Sequence, residues 1–107
     1  MGKIRRDALH RHWVHAAEED SPTESVFRPA GYPLPRVRGR EGFELLPDGR
    51  LVEYSIGPTD RREKREGRWE LDAEDRLILQ RRGAAQRIVR VVSADADRLV
   101  FARPEER

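Results

Sequence analysis

Six titratable side chains cluster near the start of the chain: His10, His12, His15, Glu18, Glu19 and Asp20. Imidazole changes charge near neutral pH, so a histidine is the natural candidate for acid–base chemistry, and histidine with carboxylates can also bind a metal. If this segment is a strand, alternation places His15 on the same face as Trp13 and sends His12 to the opposite face. A regular strand therefore cannot bring all three histidines to one ion.

Two hypotheses for this cluster follow. In the first, His15 points inward and acts as general acid or base, with Glu18 or Asp20 as the carboxylate that orients it. In the second, His15 binds a metal with Glu18 or Asp20, which requires the strand to end near Ala17 and the chain to curl back. We favour a structural interpretation over both, in which an inward His15 is hydrogen-bonded to a partner and Glu18-Glu19-Asp20 forms a loop. If the cluster does chemistry, His15 and Glu18 are the catalytic candidates, and we expect no metal and no cofactor.

Arginines follow in a proline-flanked part of the chain. Arg28 ends an apolar stretch, and Arg38 and Arg40 alternate on an extended segment. Alternating residues on an extended chain project to one side, where guanidinium groups can bind a carboxylate or phosphate through paired hydrogen bonds. The alternative is that these arginines pair with Glu18, Glu19, Asp20 or Glu41 and hold loops in place.

The aromatic residues Trp13, Tyr54 and Trp69 have two interpretations. Buried aromatic side chains dominate small cores, so all three are expected to contribute to the core. If the fold encloses a cavity, the same side chains would form its stacking walls.

Short alternating stretches separated by glycine, proline and aspartate predict an all-β protein. The eight candidate strands are Arg11–Ala17, Ser25–Pro29, Glu41–Leu46, Arg50–Ile56, Gly67–Leu71, Arg76–Arg81, Gln86–Ser93 and Arg98–Arg103. Pro47-Asp48-Gly49 is a strong hairpin signal, because Asp-Gly supplies the positive φ angles of a tight reversal. The charged stretch Gly57–Glu66 is interpreted as a solvated loop. The segment Ala30–Arg40 is long enough to lie across a barrel mouth.

Eight antiparallel strands in sequence order predict a closed up-and-down β-barrel, because closure removes the two exposed edges. Parity then turns Trp13, Phe43, Val52, Tyr54 and the other alternating apolar residues inward, and charged alternates such as Glu53 outward. The predicted organisation is one barrel domain over residues 11–103. It follows a segment, 1–10, that is a short helix or disordered, and it precedes a tail, 104–107.

Composition narrows the class of protein. The 107 residues carry 22 basic and 20 acidic side chains, a net charge of +2, and no cysteine. Disulfides and thiolate metal sites are therefore excluded. No apolar run is long enough for a membrane-spanning helix and the first residues do not read as a signal peptide, so we expect a cytoplasmic protein. Interleaved charges and inward aromatics argue against nucleic-acid binding.

Several segments together resemble the small lipocalin-like domains of the calycin barrels. They are Trp13, Gly67-Arg68-Trp69-Glu70-Leu71, Arg76–Leu79, Arg87–Val92 and Asp97–Phe101, so the likeness covers residues 11–103. The block His15–Asp20, with Arg28-Pro29 and Arg38-Gly39-Arg40, also resembles a group of small uncharacterised bacterial proteins, which implies no activity.

The leading hypothesis is a barrel that binds a small apolar or anionic molecule. Its interior would lie around Trp13, Tyr54 and Trp69, and its mouth would be lined by His15 together with Arg28, Arg38 and Arg40. The alternative is a small barrel enzyme of the isomerase or cyclase type that uses His15 as general acid or base.

Overall fold

The computed structural model describes residues 3–35, 40–56 and 62–103. These ranges contain eight strands: β1 (His12–His15), β2 (Glu24–Pro29), β3 (Gly42–Leu45), β4 (Arg50–Ile56), β5 (Arg62–Leu71), β6 (Arg76–Arg81), β7 (Arg87–Ala94) and β8 (Leu99–Ala102). Two 3₁₀ helices span Arg6–Leu9 and Ala17–Glu19. Each strand is antiparallel to both neighbours and the sheet closes on itself, which confirms the predicted eight-stranded antiparallel barrel.

The order of the strands explains why one connection is long. β3 to β8 follow one another around the barrel, but β1 lies between β2 and β3, and the barrel closes through β2 and β8. Because β2 and β3 are both antiparallel to β1, they run in the same direction. The chain between them must therefore return along the whole length of the barrel. Part of this connection, residues 36–39 including the site candidate Arg38, lies outside the described residues.

The start of that connection packs on the outside of the barrel. Leu34 contacts a small buried cluster of Ala16, Val26 and Val100. These positions alternate with residues that point inward, so the cluster lies on the outer face of the sheet. The described part of the proline-rich connection thus covers the barrel wall.

One end of the barrel is closed by the N-terminal 3₁₀ helix. Leu9 is fully buried in the core, and its carbonyl oxygen accepts a hydrogen bond of 3.1 Å from the indole Nε1 of Trp13. Before this helix, the backbone N–H groups of Lys3 and Ile4 each donate to the carboxylate of Asp75, at 2.9 Å. These bonds fix the helix across the end at which β1 begins.

The apolar core fills the half of the barrel next to this closed end. Its buried residues include Trp13, Leu45, Leu51, Trp69, Leu77 and Leu99. The barrel also needs a close approach of two strands at Gly67, where a Cβ atom would lie 2.1 Å from the carbonyl oxygen of Gln80. Glycine is therefore required inside β5 at a point where only backbone fits.

The structure corrects the predicted parity of β4. Val52 and Tyr54 were expected to point inward and Glu53 outward, but Leu51 belongs to the core and Glu53 faces the barrel interior. Leu51 and Val52 are both apolar, so alternation alone does not identify the inner face. Pairing with β3 identifies the inner face, because the core residue Leu45 lies opposite Leu51. A shift of one residue exchanges every side chain between the two faces.

The charged stretch before Gly67 is also different from the prediction. Residues 62–66 were expected in a solvated loop, whereas β5 begins at Arg62 and pairs with β4 from Ile56 onward. Exposed charges are compatible with a strand when its backbone is paired with a neighbouring strand, here β4. Within the described ranges, no helix is long and apolar enough to cross a membrane.

Candidate functional site

A cavity of about 280 Å³ occupies the open end of the barrel, opposite the N-terminal 3₁₀ helix. We call it the mouth cavity. It is lined by inward-facing side chains above the core and by rim residues: His15, Ser25, Phe27, Glu41, Phe43, Glu53, Tyr54, Ser55, Arg65, Leu79, Arg81, Arg87 and Phe101, with the backbone of Gly42. Polar side chains therefore line the open end of the barrel, and the apolar core lies deeper inside it.

Three phenylalanines form the floor of the mouth cavity. The ring centroids of Phe27 and Phe43 are 5.0 Å apart, those of Phe27 and Phe101 are 5.1 Å apart, and those of Phe43 and Phe101 are 5.8 Å apart. Such distances are typical of aromatic clusters, which present a rigid apolar surface. This layer separates the packed core from the cavity, and it offers a stacking surface to a ligand.

The wall above this floor holds an incompletely hydrogen-bonded ion pair. Nε of Arg81 lies 3.8 Å from Oε1 of Glu53, and Nη2 of Arg81 donates to the carbonyl oxygen of Ala85 at 2.9 Å. Nε is buried and has no hydrogen-bond partner among the described residues. β4 and β6 flank β5, and Arg81 lies opposite Gly67, so the pair spans β5 at a residue that carries no side chain.

His15 is held in the cavity wall by a carboxylate. Its Nε2 lies 2.8 Å from Oδ2 of Asp20, and Oδ1 of Asp20 accepts a hydrogen bond of 2.8 Å from the backbone N–H of Val26. The imidazole also packs on Phe27, with ring centroids 5.0 Å apart. Of the two carboxylates considered as its orienting partner, Asp20 occupies that position.

Glu18, the other catalytic candidate, is engaged elsewhere. Both of its carboxylate oxygens accept hydrogen bonds from Arg40, and the neighbouring Glu19 is held in the same way by Arg28. The hydrogen bonds from Arg40 lower the pKa of Glu18 to about 2, and those from Arg28 lower the pKa of Glu19. Arg28 and Arg40 thus fix the second 3₁₀ helix, and neither lines the mouth cavity.

Replacing Glu18 by glutamine is expected to make the protein less sensitive to acid. The pKa of Glu18 in the folded state lies below its ordinary value of 4.5, so this ion pair contributes fully above pH 4.5 and is lost as the pH falls toward 2. Urea titrations across this pH range should show a smaller loss of unfolding free energy in the variant than in the wild type. Glu70→Gln, an exposed position on β5, is the control. Equal acid sensitivity of Glu18→Gln and wild type would contradict the assignment.

The aromatic candidates are distributed over two environments. Trp13 is in the core, and Trp69 is also buried there, with its indole Nε1 donating to the carbonyl oxygen of Leu46 at 2.9 Å. Tyr54 points outward against His12, with ring centroids 4.7 Å apart, and reaches only the rim of the mouth cavity. The two tryptophans therefore support the core, and the phenylalanine floor takes the position expected for them.

Sequence reasoning had placed Phe27, Phe43 and Phe101 inside the barrel without assigning them to a site. The position of each inward residue along its strand is the sequence signal that could have identified the site. On β1 and β3, Trp13 lies opposite Phe43, and His15 lies opposite Phe27 on β2, one layer nearer the open end. Glu53 had no such signal, because its parity depends on register, whereas alternation after Leu77 and Leu79 already turns Arg81 inward.

The three histidines do not converge. His10 lies at the closed end, where its Nε2 is 3.0 Å from Nη1 of Arg6, His12 lies outside against Tyr54, and His15 lines the mouth cavity. Among the residues that the structure describes, no group of three or more histidine, aspartate or glutamate side chains is arranged to hold a metal ion.

Comparison with known proteins leaves the function to be inferred from this geometry. The chain matches no protein-family model, no curated protein and no solved structure.

Proposed function

We propose that this protein is a lipocalin-like β-barrel that binds a small molecule with an apolar body and one anionic group in the mouth cavity. The observation that carries the proposal is the buried Nε of Arg81, a charged donor that borders the cavity and has no acceptor among the described residues. A cytoplasmic location is the accompanying prediction from the sequence.

The size and floor of the cavity define the apolar part of the ligand. Ligand pockets usually measure roughly 300–1,000 Å³. A cavity of about 280 Å³ therefore suits a molecule smaller than a typical drug. The rings of Phe27, Phe43 and Phe101 favour a flat aromatic or compact apolar body, because burial of apolar surface contributes about 25 cal/mol per Å².

The charges of the cavity favour a monoanion. Its lining contains three arginines and two glutamates, so the formal excess is one positive charge when His15 is neutral. A buried donor without an acceptor costs about 1–3 kcal/mol, and more when it is charged. A carboxylate oxygen that accepts from Nε of Arg81 removes this cost and balances the excess charge.

Calorimetric titration with a matched pair of probes tests the proposal. The probes are phenylacetate and its uncharged amide, which share one aromatic body. A charge-assisted hydrogen bond contributes about 1.5–3 kcal/mol, so the carboxylate is expected to bind at least about tenfold more tightly. Tryptophan emission is a poor reporter, because neither tryptophan lines the mouth cavity.

Two arginine variants locate the binding site. Arg81→Gln is expected to remove the preference for the carboxylate. Arg82→Gln removes the same charge from the adjacent exposed residue and should leave the preference unchanged. Absence of binding by either probe to the wild type, or an equal effect of the two variants, would overturn the proposal.

A further inference from the structure

We propose that the mouth cavity also catalyses proton transfer, with His15 as the general base and Arg81 as the group that stabilises the resulting oxyanion. Its substrate would be a small carbonyl compound with an acidic C–H bond next to the carbonyl, and the reaction a cofactor-free tautomerisation. The inference rests on the proposed function, because the substrate occupies the same cavity.

The imidazole of His15 is held in one orientation by contacts on several sides. Its backbone N–H donates to the carbonyl oxygen of Glu41 at 2.8 Å, and its own carbonyl oxygen accepts from Arg40 at 3.1 Å. Its ring face packs on Phe27, and Nε2 is bonded to Asp20. Such restraint reduces the entropy that must be lost when a reacting group is positioned.

Asp20 determines which nitrogen is available as the base. An ionised carboxylate only accepts hydrogen bonds, so Nε2 of a neutral His15 carries the hydrogen that it donates to Asp20. The lone pair is then on Nδ1, which has no hydrogen-bond partner among the described residues. Asp20 is itself restrained by the N–H of Val26, so it acts as a positioning residue.

The strand order places the base and the cationic group on opposite walls. His15 is on β1 and Arg81 on β6, and three strands separate β1 from β6 in either direction around the barrel. Both side chains line the mouth cavity, so a substrate in it lies between them. The buried Nε–H of Arg81 is a preorganised donor for negative charge that develops in the cavity.

The proposed step needs no oxidant, reductant or second substrate. Nδ1 of His15 takes the proton from the carbon next to the carbonyl, and the electrons of that C–H bond form a carbon–carbon double bond. The carbonyl π electrons move to oxygen, giving an enolate whose oxygen accepts a hydrogen bond from Arg81. The imidazolium returns the proton to the enolate oxygen, so the product is the enol isomer of the substrate.

Glu53 is the competing candidate for the base, because its carboxylate also lines the cavity. It lies 3.8 Å from Nε of Arg81, next to the group that would stabilise the oxyanion. A base at that place would lie on the same side of the cavity as the oxyanion, so the substrate could not lie between the two groups. The geometry therefore favours His15, which faces the cavity from the far wall.

Hydrogen–deuterium exchange tests the inference directly. Phenylpyruvate, an aromatic 2-oxo acid, is incubated with the full-length protein in D₂O, and loss of its C3 protons is followed by ¹H NMR. Acid–base catalysis by a positioned side chain contributes about 100-fold or more, so wild type is expected to accelerate exchange by about that factor over buffer. His15→Gln should return the rate to the buffer value, and His12→Gln, which alters an outward-facing histidine, should not.

Further variants separate a positioning role from a structural one. Asp20→Asn is expected to lower kcat about tenfold or more with little change in KM. The N–H of Val26 holds the amide oxygen, so the amide NH2 group faces Nε2 of His15 and reverses the tautomer. Asp20→Glu, which keeps the carboxylate, should restore part of kcat. Thermal melting and binding of phenylpyruvate are measured for each variant, so that loss of folding is distinguished from loss of catalysis.

The outcomes separate this inference from the proposed function. If phenylpyruvate binds to the wild type without faster exchange, or if Glu53→Gln abolishes exchange while His15→Gln does not, the catalytic inference is wrong and binding remains. If neither phenylpyruvate nor the phenylacetate pair binds, the proposed function is wrong and the catalytic inference fails with it.

Discussion

Replacement of Trp13 by alanine is expected to lower the free energy of unfolding by about 4 kcal/mol, a typical loss for a large aromatic residue in a core. Trp13 has no exposed surface and lies in the main core cluster. Its indole N–H also holds the carbonyl oxygen of Leu9, and thereby the helix that closes the barrel. The variant therefore leaves a cavity and releases an anchor of the closed end.

Urea denaturation of Trp13→Ala and Tyr54→Ala provides the measurement and its control. Tyr54 is aromatic and belongs to the barrel wall, but it points outward and is only partly buried. Its truncation is expected to cost about 1 kcal/mol or less, as for other substitutions away from the core. Equal losses for the two variants would mean that the inner and outer faces have been assigned wrongly.

Replacement of Glu53 by leucine together with Arg81 by methionine is expected to stabilise the fold while weakening anion binding about 100-fold. The two side chains lie inside the barrel at 3.8 Å without a hydrogen bond between them, so their attraction only partly offsets the cost of removing them from water. Apolar residues of similar size extend the core upward from the phenylalanine floor. Because both side chains keep about a fifth of their surface exposed, the expected gain is modest, about 1 kcal/mol.

The single variants make this prediction specific. Glu53→Leu and Arg81→Met each leave one charge in the barrel without its partner, so each should be less stable than the double variant. A double-mutant cycle by urea denaturation, with phenylacetate affinity measured in parallel, compares all four proteins. A double variant that is less stable than the wild type by more than about 1 kcal/mol would show that the pair stabilises the fold. Residues that serve binding at functional sites commonly lower the stability of the fold.

Local sequence signals were sufficient for most of the strands. β4 and β6 have the predicted bounds, Arg50–Ile56 and Arg76–Arg81, because turn residues enclose clear alternating stretches. Gly49 has a φ of 91°, but Asp48 does not have a positive φ, so the hairpin turns through the glycine and not through the predicted pair. β5 was predicted too short, since the charged residues at its beginning carry no hydrophobic alternation and are held in the strand by pairing with β4.

The candidate site was less accessible from the sequence than the strands. The inward direction of His15 follows from its distance of two residues from Trp13, and the structure places both on the inner face. The partner of His15 was open between Glu18 and Asp20. Asp20 occupies that position, because Glu18 accepts hydrogen bonds from Arg40, which lies 22 residues further along the chain.

The sequence by itself determined an antiparallel β protein of eight strands, with His15 on the same face as Trp13, its first buried tryptophan. These features depend on turn residues and on alternation over a few neighbouring positions, so they are encoded locally. Only the tertiary structure decided that β1 lies between β2 and β3, that Glu53 points inward and that Arg81 faces His15 across a cavity. Register and ion pairing depend on which strands become neighbours, and a chain with 22 basic and 20 acidic residues offers many equivalent partners until folding brings a few of them together.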